Sequence, residues 1–383
     1  MASLVFLVTT LVFAGTCRAY YTSIFSFGDS LTDTGNLNFI SPPLSPDCML
    51  PPFGQTHFHH PNGRCSDGRL IIDFIAESLG LSYVKPYLGF KNGEVTGNIE
   101  NGVNFAIAGA TALDLSFFEE KGFVVDATTN YSLRFQIDWF KELLPSICNS
   151  SSTEGCKDVL HSSLFIVGEI GGNDYSFPLF ETNAFEDLIT YVPQVISVIT
   201  SAIKDLIDLG AVTILVPGSL PLGCNPALLT KFATINEEEY DQAGCLKLLN
   251  MFFEYHNELL QFELNRLRVL YPFTNIIYAD YFNAALQFYK SPEQFGFERN
   301  ALQVCCGGGG PYNFNDTALC GNLEVIACDD TSKYVSWDGY HLTEAAYRWM
   351  AMSLLDGQYT IPKFSLSCLT SNTSAYFINY TMK

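Results

Sequence analysis

The sequence predicts an α/β protein built on a parallel sheet with helices on both faces. Short, apolar, β-prone runs recur from end to end, and each is followed by a stretch with helical spacing of its apolar residues. These runs are of the buried type. Several stop abruptly in small or polar residues, the chain feature that places ligands at the strand ends of open α/β sheets. At 383 residues the length would accommodate two domains, but no linker, internal repeat or low-complexity block divides the chain. One domain over residues 20–383, behind a leader over residues 1–19, is the expectation.

Each element has its own signal. The run Ile24-Phe25-Ser26-Phe27 reads as the first strand and ends at Gly28-Asp29-Ser30. Ser41 to Arg69, rich in Pro, Gly, His and Cys, reads as a long surface loop serving a site. Leu70 to Leu79 has helical spacing with Gly80 as its stop. Val103 to Ile107 reads as a strand leading into Ala108-Gly109-Ala110-Thr111, and Ser132 to Leu144 as an amphipathic helix ended by Pro145. Ser163 to Val167 is a buried strand running into Gly168-Glu169-Ile170-Gly171-Gly172-Asn173-Asp174. Phe185 to Leu209 is helical with a kink or break expected at Pro193, and Val212 to Val216 is a strand stopped by Pro217-Gly218. Tyr240 to Leu270 is the longest helix expected, Asn275 to Ala279 a further strand with a short helix from Tyr281, and Thr343 to Leu355 the closing helix.

Composition narrows the function. Hydrophobic residues make up 48% and charged residues 16%, which suits a large core rather than disorder. The formal charge of -20 and the absence of a basic stripe exclude nucleic acid as a partner. No run is long enough for a membrane-spanning helix; the apolar stretch Ala2 to Gly15, ending in Thr16-Cys17-Arg18-Ala19, reads as a secretory signal. Removing it takes Cys17 and leaves 11 of the 12 cysteines, an odd number with at least one free or externally paired. Cys148 and Cys156, flanking a polar loop, are the best local pair, and Cys305, Cys306, Cys320 and Cys328 staple a Gly-rich loop in a connectivity the spacing leaves open. Asn130, Asn149, Asn315, Asn372 and Asn379 each head an N-glycosylation pattern. A metal site is not expected: the Cys cluster has no Cys-x-x-Cys pair, and His57, His59 and His60 have no acidic or Cys partner nearby and read as solvated or at a pocket rim. Gly307 to Gly310 lacks the Lys-Ser/Thr of a phosphate loop and reads as a turn.

The chemistry lies in residues far apart in the chain. A serine hydroxyl at a strand end is a poor nucleophile until a base takes its proton. Trp337-Asp338-Gly339-Tyr340-His341 offers that base, with an acid three residues earlier to orient the imidazole. Ser30, His341 and Asp338 therefore form a candidate hydrolytic triad. Acyl transfer also needs donors for the tetrahedral oxyanion, and three adjacent strand ends offer them: the backbone N–H of Ser30, the unshielded N–H of Gly109 and the amide of Asn173.

Phe27-Gly28-Asp29-Ser30-Leu31-Thr32-Asp33-Thr34-Gly35-Asn36, Gly109, Gly172-Asn173-Asp174 and Asp338-x-x-His341 resemble the four blocks of the plant GDSL esterase/lipases of the SGNH hydrolase superfamily. The likeness extends to Asn62-Gly63-Arg64-Cys65-Ser66-Asp67-Gly68-Arg69 and to the Cys-Cys-Gly-Gly-Gly loop. It implies a three-layer, flavodoxin-like fold, with Ser30 as nucleophile, His341 as base, Asp338 as its orienter, and Ser30, Gly109 and Asn173 as the oxyanion hole. It implies no metal or organic cofactor. The overall pattern is similar to the branch that includes sinapine esterase and acetylajmalan esterase, which implies a short-chain or phenolic ester of a specialised plant metabolite, such as an acetylated alkaloid. Ala108 stands where many relatives have a second glycine and His57 where many have an aromatic residue, beside the expected pocket mouth. A monomer acting on a small-molecule ester outside the cell or in the vacuole is the expectation, without stable membrane association. Hydrolysis, acyl transfer to an alcohol, and a silent binding site all remain open at this stage.

Overall fold

The computed structural model describes residues 21–40, 47–96, 99, 101–123, 130–148, 153–182 and 185–364. The leader at 1–19 therefore lies outside the described residues, as do Asn149, Asn372, Asn379 and Cys368. In chain order the elements are β1 (Ser23–Phe27), α1 (Ile71–Ser78), β2 (Lys85–Pro86), α2 (Tyr87–Lys91), β3 (Gly102–Asn104), α3 (Leu115–Lys121), α4 (Leu133–Ile147), α5 (Thr153–His161), β4 (Ser163–Val167), α6 (Gly172–Thr182) and α7 (Phe185–Leu209). They continue with β5 (Thr213–Pro217), α8 (Pro226–Lys231), α9 (Lys247–Leu270), β6 (Asn275–Ala279), α10 (Tyr281–Lys290), α11 (Glu344–Leu355) and β7 (Thr360–Ile361).

The seven strands form one sheet in the order β2-β3-β1-β4-β5-β6-β7, parallel except for β7, which pairs antiparallel with β6. Strands β1, β4 and β5 are buried along their whole length, which is why they are apolar runs rather than alternating ones. Phe25 lies level with Val103 on one side and Phe165 on the other. Its ring meets Phe140 of α4, which also packs on Phe27, Phe105 and Phe165. The chain runs from β1 to β2 and β3 on one flank, then crosses to β4, β5 and β6 on the other. Strand order thus reverses between β1 and β4, and the crevice outside their carboxyl ends is where ligands of open α/β sheets bind.

Several expectations change on inspection. The stretch Ser41 to Arg69 is not simply a surface loop: Phe53, Arg64, Cys65, Ser66 and Asp67 are buried, and a Cys48–Cys65 disulfide ties it down. Arg64 can be buried because Asp73 receives its guanidinium at 2.8 Å through both Nε and Nη2. Pro145 does not end α4, which continues to Ile147; in the last turn a proline costs one backbone bond without blocking the helix interior. Nor does Pro193 break α7, which runs unbroken for 25 residues and is the longest helix among the described residues. The expected helix from Tyr240 begins only at Lys247, because Asp241 to Cys245 form a tight turn held by the Asp241 side chain and by a Cys224–Cys245 disulfide. β3 stops at Asn104, three residues early, where the Asn104 side chain takes the N–H of Ala106, although Phe105 and Ile107 still donate to the Ser26 and Gly28 carbonyls. The short edge strands β2 and β7 carry no apolar run to announce them.

Cysteine pairing is Cys48–Cys65, Cys148–Cys156, Cys224–Cys245, Cys305–Cys328 and Cys306–Cys320, with no free cysteine among the described residues. The Cys148–Cys156 pairing matches the local expectation, and the four clustered cysteines resolve into two nested bridges, Cys306–Cys320 inside Cys305–Cys328. Cys17 and Cys368, on which the expected odd count turns, lie outside the described residues.

Candidate active site

Ser30 stands three residues beyond β1, on a turn that glycine makes possible. Gly28 has φ +142, and a Cβ there would lie 2.9 Å from both the Glu169 carbonyl oxygen and Thr32 Cγ2. The Gly28 peptide is gripped from outside the strand by one side chain: its N–H donates to Gln136 Oε1 and its carbonyl accepts from Gln136 Nε2, both at 2.8 Å. After the serine, Asp33 acts as a buried hub, accepting N–H bonds from Gly35, Asn36, Leu37 and Ala108 at 2.6–3.2 Å. Burial pushes the Asp33 pKa up to about 6, against those four donors that pull it down. The Ala108 bond carries the turn after β3 to the serine loop, and brings Gly109, at φ +82, to the same rim.

The His341 side is assembled from distant segments. Asp338 Oδ1 accepts the backbone N–H of Tyr340 and of His341, at 2.9 and 2.7 Å, folding Trp337–His341 into a tight turn. Its other oxygen meets His341 Nδ1 at 2.7 Å, and His341 Nε2 stands 2.8 Å from Ser30 Oγ. The turn is fixed on three sides. Cys305 and Cys306 donate their backbone N–H groups to the Ser336 and Trp337 carbonyls, at 3.0 and 2.7 Å. Asn225 Nδ2 donates to the Tyr340 carbonyl at 3.2 Å. From the first hundred residues, Ser66 Oγ donates to the Leu342 carbonyl at 3.0 Å, and Asp67 Oδ1 accepts the Glu344 N–H at 2.7 Å. Arg69 closes the clamp on the Glu344 carboxylate with its backbone N–H and with Nη2, at 2.8 and 2.7 Å. Thr343 caps α11 through the Ala346 N–H, so the helix-start signal after His341 and the Asp338–His341 contact coexist.

Asn173 comes from the start of α6, just beyond β4. Its Nδ2 donates to the Ala110 carbonyl at 2.9 Å and faces Asp29 Oδ2 at 3.4 Å, while Asp174 takes the N–H groups of Ala112 and Leu113. The ends of β1, β3 and β4 are in this way laced together by side chains. Ser30, Gly109, Asn173, Asp338 and His341 all line one cavity of about 390 Å³, with Ala108 beside Gly109. Leu31, Phe177, Phe180, Leu222, Leu228 and Leu319 supply its apolar walls, and no Lys or Arg lines it among the described residues.

His57 is not at this mouth. Its Nε2 meets the Tyr83 hydroxyl at 2.8 Å and its ring packs on Phe58 and Tyr83, because the buried Arg64 draws Phe58 and Tyr83 inward beneath its guanidinium. His59 bonds the Gln55 carbonyl, and among the described residues no group of His, Cys, Asp and Glu is arranged to hold a metal. Asn130 is exposed; Asn315 is half-buried, with Oδ1 accepting from Thr317 N–H and Oγ1. Residues that sequence reasoning passed over are Gln136, Asn225 and Glu344. Only the Asp33 and Ser66–Arg69 contributions had a signal, in the blocks quoted above.

A family profile described as GDSL-like Lipase/Acylhydrolase matches residues 24–354. Among curated proteins, the Arabidopsis thaliana protein named GDSL esterase/lipase At2g27360 is 53% identical over 368 residues, covering 96% of this chain and 92% of the relative. GDSL esterase/lipase At1g31550 from the same plant is 54% identical over 357 residues, covering 93% and 88%. GDSL esterase/lipase At1g28670 is 50% identical over 370 residues, covering 95% and 94%. The chain belongs to the GDSL esterase/lipase family as its plant members represent it, and it is a serine ester hydrolase.

Proposed function

We propose that the protein is a secreted carboxylic-ester hydrolase in which Ser30, His341 and Asp338 act as the catalytic triad. The observation that carries this reading is the unbroken hydrogen-bond chain from Ser30 Oγ through the His341 ring to Asp338, 2.8 and 2.7 Å, at the wall of a cavity. Ser30 Oγ attacks the ester carbonyl while His341 Nε2 takes its proton; the carbonyl oxygen becomes an oxyanion facing the N–H groups of Ser30 and Gly109 and the Asn173 amide. Collapse expels the alcohol, which takes the proton from His341. Water, deprotonated by the same imidazole, then releases the acid and restores Ser30. Asp338 holds the ring in the tautomer with its proton on Nδ1 and stabilises the imidazolium between steps.

The reading of the substrate is a short-chain, acetyl-type, or phenolic ester of a specialised plant metabolite, such as an alkaloid ester. The cavity's volume is near the lower end of the range of about 300–1,000 Å³ usual for small-molecule sites, and its apolar walls favour a neutral or cationic molecule over an anion. Five disulfides among the described residues fit an oxidising compartment, consistent with secretion to the apoplast or vacuole. The strand order β3-β1-β4-β5-β6 corresponds to the 2-1-3-4-5 order of flavodoxin-like sheets, and α1, α10 and α11 pack as one group while α4, α7 and α9 pack as another. Both features favour a three-layer arrangement.

The test is product analysis of the purified protein on acetyl, hydroxycinnamoyl and long-chain acyl esters, with and without added alcohols. Release of free acid from the acetyl and phenolic esters, unchanged by alcohol, is expected. Dominant ester products in the presence of alcohol would make the protein an acyltransferase, and preference for long chains would overturn the substrate reading.

A further inference from the structure

Two buried carboxyl groups stand behind the proposed nucleophile and take no part in the triad. Asp29 precedes Ser30, Glu169 follows β4, and they are 3% and 5% exposed. Both line the cavity. Their backbones are joined by the Asp29 N–H donating to the Glu169 carbonyl at 3.3 Å, which brings the two carboxyl groups within reach of each other at the cavity wall. Asp29 Oδ1 accepts the Leu31 N–H at 3.0 Å and Glu169 Oε1 accepts the Ser219 hydroxyl at 3.1 Å. A Cβ on Gly172 would come within 3.3 Å of that same Oε1, so the carboxyl group lies against the backbone that leads into Asn173.

A hydrogen bond between two carboxyl groups requires a proton between them, since two carboxylates are both acceptors. Nothing nearby supplies a compensating fixed cation: no Lys or Arg lines the cavity among the described residues. The ionisable groups that bear on the pair are Asp174 and Tyr175 on α6, Tyr281 on α10, Tyr347 on α11, and His341 on the turn before it. Burial, followed by the neighbouring Glu169, raises the Asp29 pKa well above its ordinary value; burial likewise raises that of Glu169.

The consequence falls on Asn173. One of its amide protons is committed to the Ala110 carbonyl at 2.9 Å; the other faces Asp29 Oδ2 at 3.4 Å, a long contact that leaves it available to another acceptor. A doubly ionised pair would draw that proton back and place a second negative charge beside the forming oxyanion. We propose that Asp29 and Glu169 are positioning residues that share one proton, so that the Asn173 amide is held in place but remains free to donate to the tetrahedral oxyanion. This rests on the assignment of Asn173 to the oxyanion hole.

Because the effect arises in the transition state, it appears in kcat rather than in KM. The experiment measures kcat and KM against pH on p-nitrophenyl acetate for wild type, Glu169→Ala and Glu169→Gln, with circular dichroism as a check on folding. Glu169→Ala is expected to lower kcat about tenfold or more with KM changed less than about threefold. Glu169→Gln, which still donates to Asp29 but has no second proton to lose, should recover most of that loss. It should also remove the alkaline fall in kcat that the wild type shows when the shared proton leaves. An alkaline fall that is unchanged in Glu169→Gln, or a folded Glu169→Gln no better than Glu169→Ala, would overturn the proposal. Labelling with a fluorophosphonate in parallel separates the two readings. Absence of labelling at Ser30 in the wild type counts against the nucleophile and so against the site the pair serves. An unmoved pH profile in protein that does label counts against the pair alone.

Discussion

The two halves of the candidate site are held in place by different means. Ser30 emerges from the centre of the sheet, and its turn is fixed by fully buried side chains: Gln136 on the Gly28 peptide, Asp33 on four backbone N–H groups, and Asn36 and Asn104 bridging to the neighbouring strand. His341 belongs to no strand. Its turn hangs between the disulfide-linked Cys305–Cys306 segment, Asn225 after β5, and the Ser66–Arg69 clamp, which lies some 275 positions earlier in the chain. Ser30 is thus positioned by the core, and His341 by loops that disulfides and buried polar contacts hold in place. Damage to the first should unfold the protein; damage to the second should first cost activity.

The largest effects are expected where the halves meet. Ser30→Ala and His341→Ala should each lower kcat by about 10,000-fold or more, with unchanged circular dichroism. Asp338→Asn should retain more activity than either, because the base survives. Removing the Asn173 amide with Asn173→Ala should cost about 100–1,000-fold in kcat, or about 3–4 kcal/mol. Either serine or histidine variant with near-wild-type turnover would contradict the triad.

The contrast itself is sharpened by two milder variants. Gln136→Leu strands the buried N–H of Gly28 and leaves its carbonyl with the Ile107 N–H alone, so a stability loss of about 2–4 kcal/mol is expected in urea unfolding. Residual folded protein should keep its kcat within a few-fold. Asp67→Ala removes the acceptor for the Glu344 N–H and for the Thr56 hydroxyl beside the histidine turn. Here kcat should fall about tenfold with a smaller loss of stability, about 1–3 kcal/mol. Equal patterns in the two variants would erase the distinction.

The smallest effect on activity concerns a histidine that plays no part in either half. His256 on α9 is buried against the Tyr175 hydroxyl, 2.8 Å away, and burial lowers its pKa from 6.5 to about 4. The native state stays neutral while the unfolded chain binds a proton, so this residue's contribution to stability is whole above pH 6.5 and is lost as pH falls towards 4. Over that interval the loss is about 3 kcal/mol, at about 1.4 kcal/mol per unit. The measurement is urea unfolding at several pH values for wild type and His256→Gln; the difference in slope isolates the imidazole from carboxyl groups that titrate in the same range. Parallel curves would show that His256 is protonated in the folded protein.

Much of this architecture can be read from the chain because burial writes itself into composition. β4 and β6 have the bounds that the apolar runs announce, and Ser30, Gly109, Asn173, Asp338 and His341 share a cavity, as their positions at strand or helix edges imply. What escapes is whatever depends on partners far away in sequence. Nothing local tells that Gln136, on the apolar face of an amphipathic helix, turns its amide onto the Gly28 peptide. The Ser41–Arg69 stretch has the composition of a solvated loop, yet Arg64 is buried because Asp73 awaits it. Proline is likewise ambiguous: the helix-breaking cost at Pro193 is overridden by the packing of α7 on α4 and α9. His57 shows the reverse error, for a position inferred from relatives was settled by contacts with Tyr83 and Phe58.

The most direct measurement is peptide mapping after reaction of the purified, disulfide-intact protein with a fluorophosphonate. A single covalent adduct on the peptide containing Ser30 is expected, formed slowly in His341→Ala and not at all in Ser30→Ala. An adduct on a different serine, or equal labelling rates with and without the imidazole, would contradict a nucleophile activated from the opposite end of the chain.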